Sequence, residues 1–371
     1  MIILCGKREK PAQIRRDKKF RAAMRTFLTM LAAAALLFAA CPAFAEENAI
    51  PPQDGDPFQG SFGLPSDMEG TGFSTLTEEQ FAADDLPEGY LTEAAQAGRV
   101  EKVRYTVSDE SREVKSAMIY LPAGYNEGNG PYDVLYILHA ASGSPKNYLD
   151  PDRKTPIQCL LDNMIEDGKL KPLIVVAATY YPTEGFTPFL PLAMQVEVTA
   201  GFPRELVEDV IPAVESKYRT FATTTDAEGI RLSRDHRAIA GFSLGGVTTW
   251  YVFLQQMQAF RWFLPISEAS WADDEGGTSG IFDSSISAKV LYDAVKDQGF
   301  GKDDFRLYVA TGTEDEAFDV STSQMVSLLE YADMFKPGDN TSCSMMIGGT
   351  HTLQALYTYL YHILPALFVG F

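Results

Sequence analysis

Two spacings of apolar residues alternate along the chain from about residue 100 onward. Segments 101–107 (EKVRYTV) and 115–121 (KSAMIYL) are rich in β-branched and aromatic residues and read as strands, followed by turn chemistry in PAGYNEGNGP. Segments 132–138 (YDVLYIL) and 172–179 (PLIVVAAT) are short apolar runs of the kind buried on both faces of a parallel sheet. Between them, IQCLLDNMIEDG has the three-to-four-residue spacing of an amphipathic helix, which makes a β-α-β unit. The alternation then continues with a helix at 204–218, a strand at 236–241, a helix at 245–257, a strand at 261–267 and a helix at 288–299. It closes with a strand at 305–312, a helix at 322–335, a strand at 342–349 and a helix at 353–368. Strands alternating with helices of this length predict an α/β fold, a mostly parallel central sheet with helices on both faces, occupying 91–371. Ligands of such sheets bind beyond the carboxyl ends of the strands, so the loops after strands are where chemistry is to be sought.

The first ninety residues lack this rhythm. MRTFLTMLAAAALLFAACPAFAEE combines a basic start, an apolar run from Phe27 to Ala40 and the small-residue site Ala43-Phe44-Ala45. This reads as a secretory signal occupying 1–45, with cleavage after Ala45 and export from the cytoplasm, and Met24 is a candidate start. The run is short of the roughly 20 apolar residues that span a bilayer, so no stable membrane insertion is expected. Cys41 offers a lipidation site, but Pro42 behind it and Phe38 before it suit that chemistry poorly. Residues 46–90 are rich in Pro, Gly, Asp, Glu and Ser and read as a linker or loosely ordered segment.

Charge narrows the partners. The formal net charge is −19; since 1–45 carries nine Lys/Arg and two acidic residues, its removal leaves −26. A surface this acidic repels phosphate backbones and argues against nucleic-acid binding. Of the four cysteines only Cys159 and Cys343 lie beyond residue 45, either as one bridge or as two buried thiols, and no C-x-x-C spacing suggests a metal site.

The chemistry gathers around Gly241-Phe242-Ser243-Leu244-Gly245, which falls between the strand at 236–241 and the following helix. A G-x-S-x-G turn at that junction is so tight that only small residues fit on either side, and it projects the serine hydroxyl outward as a nucleophile. A serine needs a base, normally histidine. His236 sits at the amino end of its strand, on the wrong edge of the sheet, and His362 lies inside the last helical segment. His139 ends a strand and is a candidate for the site wall. His351, in the glycine-rich loop after the last strand, has the position a base requires. An acid to orient it is offered by TEDEAFD after the strand at 305–312, with Asp315 first and Glu314 in reserve, giving the chain order Ser, acid, His. The oxyanion requires two backbone N–H donors, assigned to Leu244 and, from the HAASGS loop at 139–144, to Ala141.

With these residues in place, the chain from about residue 99 to 371 resembles the esterase D-like branch of the α/β-hydrolase superfamily. That branch includes the feruloyl and acetyl xylan esterases of carbohydrate esterase family 1. The resemblance rests on ordered stretches: YLPAGY, YDVLYILHAASGS, DNMIEDGKLKPLIVVAATY, ELVEDVIPAVESKY, SRDHRAIAGFSLGGVTTWYVF, ATGTEDEAF and GGTHTLQALYTYLYHILPALF. It implies the α/β-hydrolase fold, with the family nucleophile at Ser243, the acid at Asp315 within a GT-x-D pattern, and the base at His351 within a GG-x-H pattern. One departure is that the family loop reads H-G-x-G-G where this chain has His139-Ala140-Ala141-Ser142-Gly143. The backbone angles at Ala140 and Ser142 therefore decide whether the oxyanion hole can form.

The resemblance implies a secreted serine esterase, needing no metal or cofactor, that acts on feruloyl or acetyl esters of plant-wall xylan. The partner is then a small-molecule or polysaccharide ester, and oligomeric state is left open. Loops 180–191 and 267–282 are expected to shape the pockets, with His139, Tyr180, Tyr181 and Trp271 as possible substrate-binding residues. Two alternatives stand beside this reading. One is an acyltransferase, thioesterase or peptidase on the same three residues. The other is a carbohydrate-binding relative whose altered 139–143 loop no longer stabilises an oxyanion.

Overall fold

A computed structural model describes residues 77–83, 85–128, 130–183, 190–274 and 276–370. The signal sequence expected at 1–45 and most of the segment 46–90 lie outside the described residues. Nine strands form one sheet: β1 (Thr77–Ala82), β2 (Arg99–Thr106), β3 (Val114–Leu121), β4 (Val134–Leu138), β5 (Ile174–Ala178), β6 (Arg237–Phe242), β7 (Trp262–Ile266), β8 (Arg306–Gly312) and β9 (Thr341–Ile347). Their order is β1-β9-β8-β7-β6-β4-β5-β3-β2. Pairing is antiparallel at β2–β3 and β3–β5 and parallel everywhere else. The α/β-hydrolase architecture expected from the alternating spacings is thus present.

The main helices are α1 (Pro156–Glu166), α2 (Leu192–Glu205), α3 (Leu244–Gln255), α4 (Ser284–Asp297), α5 (Phe318–Leu328) and α6 (Leu353–Ile363). They divide between the two faces of the sheet because successive side chains on a strand point to opposite sides. In β4, Val134, Tyr136 and Leu138 join the core beneath α3, α4 and α5, whereas Leu135 and Ile137 join the core beneath α1 and α6. The same alternation in β5 and β6 explains why their sequences are apolar throughout rather than every second residue.

Three elements depart from the sequence reading. The segment 46–90 is not all linker: Thr77–Ala82 pairs in parallel with β9, and Ala83 N–H donates to the Ile347 carbonyl at 3.2 Å. The helix expected at 204–218 begins at Leu192, passes through a widened turn at Leu206–Val210 and resumes over Ile211–Glu215. The helix expected at 322–335 starts at Phe318 and gives way to a tighter turn at Leu329–Tyr331. Cys159 and Cys343 are buried free thiols rather than a bridge.

At the amino end of the parallel strands, a fully buried ion pair anchors β6. Arg237 donates to both Glu215 oxygens, at 2.7 and 2.9 Å, and Tyr136 donates to the same carboxylate at 2.9 Å. Burial of a charge is tolerated only when its hydrogen-bonding capacity is met in this way. Among the described residues, no helix is long and apolar enough to cross a membrane.

Candidate active site

The carboxyl ends of β6, β8 and β9 bring the sequence-predicted residues into one region. Ser243 follows β6 directly and has φ +57° and ψ −125°, a left-handed conformation that residues bearing a side chain seldom adopt. Such a conformation costs on the order of 1–3 kcal/mol and persists only when its surroundings enforce it. Here the enforcement is close approach. A Cβ on Gly241 would lie 2.0 Å from the Gly245 carbonyl oxygen, and a Cβ on Gly245 would lie 2.4 Å from that of Leu138. The two glycines of the elbow are thus required by the contact of α3 with the ends of β6 and β4. Ser243 N–H donates to the Ile266 carbonyl at 3.0 Å, tying the turn to β7 as well.

His351 lies in the loop between β9 and α6, and its Nδ1 is 2.7 Å from Asp315 Oδ1 in the loop after β8. A carboxylate accepts, so Nδ1 carries the proton and Nε2 is left as the basic nitrogen. The Asp315 side chain is buried, and Oδ1 also accepts the Ala317 N–H at 2.8 Å. The imidazole packs on the Phe242 ring at 4.7 Å between centroids, which brings it beside the residue preceding Ser243. Burial alone would draw the His351 pKa down; the hydrogen bond and charge of Asp315, with the charges of Glu316 and Glu268, outweigh it and hold it above the ordinary histidine value.

The loop after β4 faces the start of α3. A Cβ on Gly245 would also lie 2.7 Å from the His139 carbonyl oxygen, so the backbones of 138–139 and 244–245 are in direct contact. Leu244 is the first residue of α3, where a helix leaves its N–H without an intrahelical acceptor. Neither Ala140 nor Ser142 has a positive φ, so their replacement of the family's glycines introduces no backbone strain.

The residues expected to contact substrate, His139, Tyr180, Tyr181 and Trp271, are little exposed. His139 is 0 % exposed, Tyr180 3 %, Tyr181 1 % and Trp271 8 %. His139 spends both nitrogens internally, Nδ1 on the Ala140 carbonyl and Nε2 on Thr179 Oγ1, each at 2.8 Å. Burial lowers its pKa to about 4, so it is neutral at physiological pH. Trp271 Nε1 points to Glu268 Oε1 at 3.4 Å. Residues 184–189 of the loop 180–191 lie outside the described residues.

The two remaining histidines pack against aromatic rings away from Ser243. His236 pairs with Asp133 at 2.7 Å and stacks on Phe221, and His362 stacks on Phe81. Sequence reasoning passed over Glu268. It follows β7, the strand between those that carry Ser243 and Asp315, and its charge acts on His351. Burial raises the Glu268 pKa, opposed by the Ala269 N–H and the Trp271 indole. The available signal was its place two residues beyond β7, within a loop already singled out.

The sheet order and the helices on its two faces define a class, the α/β-hydrolase fold, and comparison with known proteins adds a family. The family model named Esterase matches residues 110–336. Endo-1,4-beta-xylanase Y of Acetivibrio thermocellus is 31% identical over 287 residues, covering 76% of this chain and 24% of that protein. The endo-1,4-beta-xylanase/feruloyl esterase of Xylanibacter ruminicola is 27% identical over 187 residues, covering 48% of this chain and 23% of that protein. The chain therefore spans about a quarter of the length of these curated relatives. Among solved structures, a serine-to-alanine variant of the feruloyl esterase module from Clostridium thermocellum, complexed with sinapinate, is 30% identical with a TM-score of 0.67. That alignment covers 79% of this chain and 96% of the module. The chain belongs to the Esterase family, in keeping with its resemblance to the esterase D-like, carbohydrate esterase family 1 branch.

Proposed function

We propose that the protein is an exported serine esterase that removes feruloyl or acetyl groups from plant-wall xylan through an acyl-enzyme. The observation that carries the reaction is the 2.7 Å hydrogen bond from His351 Nδ1 to Asp315 Oδ1, beside a serine held in a strained elbow. It leaves His351 Nε2 to take the Ser243 proton as Oγ attacks the ester carbonyl. The carbonyl π electrons move onto oxygen, where the Leu244 and Ala141 N–H groups stabilise the developing charge. Collapse expels the alcohol, which takes the proton from His351. Water then attacks the acyl-enzyme with His351 again as base, and Ser243 recovers its proton as the carboxylic acid leaves. Asp315 holds the imidazole tautomer and offsets its positive charge during both steps.

The absence of backbone strain at Ala140 and Ser142 favours this reading over a relative whose loop is disabled. The acyl and sugar specificity draws on the similarity to the feruloyl esterase module and to xylanase-linked relatives. Export rests on the signal expected at 1–45. The test is hydrolysis of methyl ferulate, p-nitrophenyl acetate and feruloylated arabinoxylan, followed by release of free acid. Ser243→Ala should remove essentially all turnover, a loss of about 10⁴-fold or more. Retained activity in that variant would sink the proposal.

A further inference from the structure

Tyr180 and Tyr181, together with His139, close around the loop that follows β4. The three rings lie 4.7 Å (His139 to Tyr180), 5.3 Å (His139 to Tyr181) and 4.8 Å (Tyr180 to Tyr181) apart between centroids. Their polar atoms all engage that loop or its support. The Tyr180 hydroxyl donates to the His139 carbonyl at 2.9 Å, and the Tyr181 hydroxyl donates to the Ala141 carbonyl. The Ala140 carbonyl between them accepts from His139 Nδ1 at 2.8 Å and from Gly143 N–H at 2.9 Å. Three consecutive carbonyls of the loop are therefore fixed.

The tautomer of His139 follows from this network. A carbonyl only accepts, so Nδ1 is protonated and Nε2 accepts from the Thr179 hydroxyl. Thr179 Oγ1 in turn accepts the Tyr181 N–H at 3.2 Å. Every member of the set has a partner, and its low exposure shields it from water.

The consequence lies in the peptide geometry. In a trans peptide the C=O and the following N–H point in opposite directions. Holding the Ala140 carbonyl against the His139 ring turns the Ala141 N–H the other way, and holding the carbonyls on either side fixes both dihedrals of Ala141. We propose that Tyr180 and Tyr181 are positioning residues for the oxyanion-binding loop, clamping the His139 and Ala141 carbonyls so that the Ala141 N–H stays aimed at the reacting ester. This rests on the serine-esterase reading above. It also accounts for a loop that holds its shape with alanine and serine where the family has glycine. The backbone is fixed from outside by the two tyrosines rather than through left-handed glycine angles.

A pair of buried tyrosines that only fills space would act on stability, whereas a clamp on a transition-state donor acts on kcat. Removing a whole oxyanion donor costs roughly 10²–10³ in kcat, so loosening one should cost roughly tenfold with KM changed less than about twofold. The experiment compares the full chain with Tyr181→Phe and Tyr180→Phe on p-nitrophenyl acetate and methyl ferulate. It also measures inhibition by an arylboronic acid, whose tetrahedral serine adduct occupies the oxyanion site, and binding of ferulate to Ser243→Ala backgrounds. The expected result is a lower kcat and a parallel rise in the boronate inhibition constant, with ferulate binding and thermal midpoint near wild type. Unchanged kcat and boronate affinity in a folded variant would overturn the proposal. Should Tyr181→Phe fail to fold, Tyr180→Phe reads the same clamp at His139, and loss of fold in both assigns them a purely structural role and overturns it too. Turnover surviving in Ser243→Ala alone would instead refute the underlying esterase reading, so the two failures are distinguishable.

Discussion

His351 must be neutral to accept the serine proton, and its surroundings set the pH at which that happens. Burial lowers its pKa, but Asp315, Glu316 and Glu268 more than compensate and leave it raised. A raised base pKa keeps the imidazole protonated, and so inactive as a base, to a higher pH. The acid limb of kcat/KM against pH should therefore have its midpoint above the ordinary histidine value of about 6.5. Glu268→Gln removes one of the charges favouring the imidazolium and should shift that midpoint to lower pH by a fraction of a unit. A pH–rate profile of the variant that coincided with wild type would show that Glu268 exerts no influence on the base. At this scale the site was legible where position along the chain determines role. His351 stood out from three other histidines because it alone lies in the loop directly after the last strand, and Asp315 because it follows the strand before. The hydrogen bonds of Tyr180 and Tyr181 to the loop after β4 were not legible, because an aromatic residue just past a strand carries no mark of whether its ring turns outward or inward to its neighbours. The partner that decides it, His139, lies about forty residues earlier in the chain.

The turn between β6 and α3 couples two elements that each supply part of the site. Gly245 lets the first turn of α3 rest against the Leu138 and His139 carbonyls. Gly245→Ala would place a methyl group 2.4 Å from one oxygen and 2.7 Å from the other, so α3 must withdraw from β4. Overpacking of this kind costs about 1–3 kcal/mol, and it would separate the two N–H groups assigned to the oxyanion. Chemical denaturation should register the stability loss, while activity should fall by more than the lost folded fraction explains. The strands of the sheet interior could be read from sequence because β-branched apolar runs have few other uses. Apart from its last two residues, α2 could not. Its Val196, Val198, Thr199 and Gly201 are weak helix formers, and Pro203 lies within it. It is helical because Phe202 and Thr199 are buried where it packs against α3, a tertiary cause that local spacing does not reveal.

For the molecule as a whole, sequence and structure agree on a single mostly parallel sheet and differ over where it begins. β1 was invisible in advance because TEEQFA is a mainly polar segment in an acidic, proline-rich stretch, and its pairing with β9 is made by the main chain, which every sequence possesses. The family model begins only at residue 110, so this strand lies outside the matched residues. It covers one side of β9 and is itself the outer strand of the sheet. A long regular outer strand offers a row of free N–H and C=O groups on which another molecule can assemble, whereas a short, charged and irregular one such as TEEQFA, with its register break between Thr77 and Glu79, blunts that edge. β9 would be the outer strand if β1 were absent, and Ile347 at its end is already half exposed. A chain starting at residue 84 should therefore self-associate, with light scattering showing dimers or larger species that the longer chain does not form. A strictly monomeric truncated protein would assign the strand some other purpose. The strong negative charge, −19 for the whole chain, repels neighbouring molecules, but at 0.1 M salt that repulsion reaches only about 10 Å. Beyond that reach charge no longer holds copies apart and edge geometry matters more: six residues of a stretch that looked like spacer cover the side of β9 that would otherwise be open.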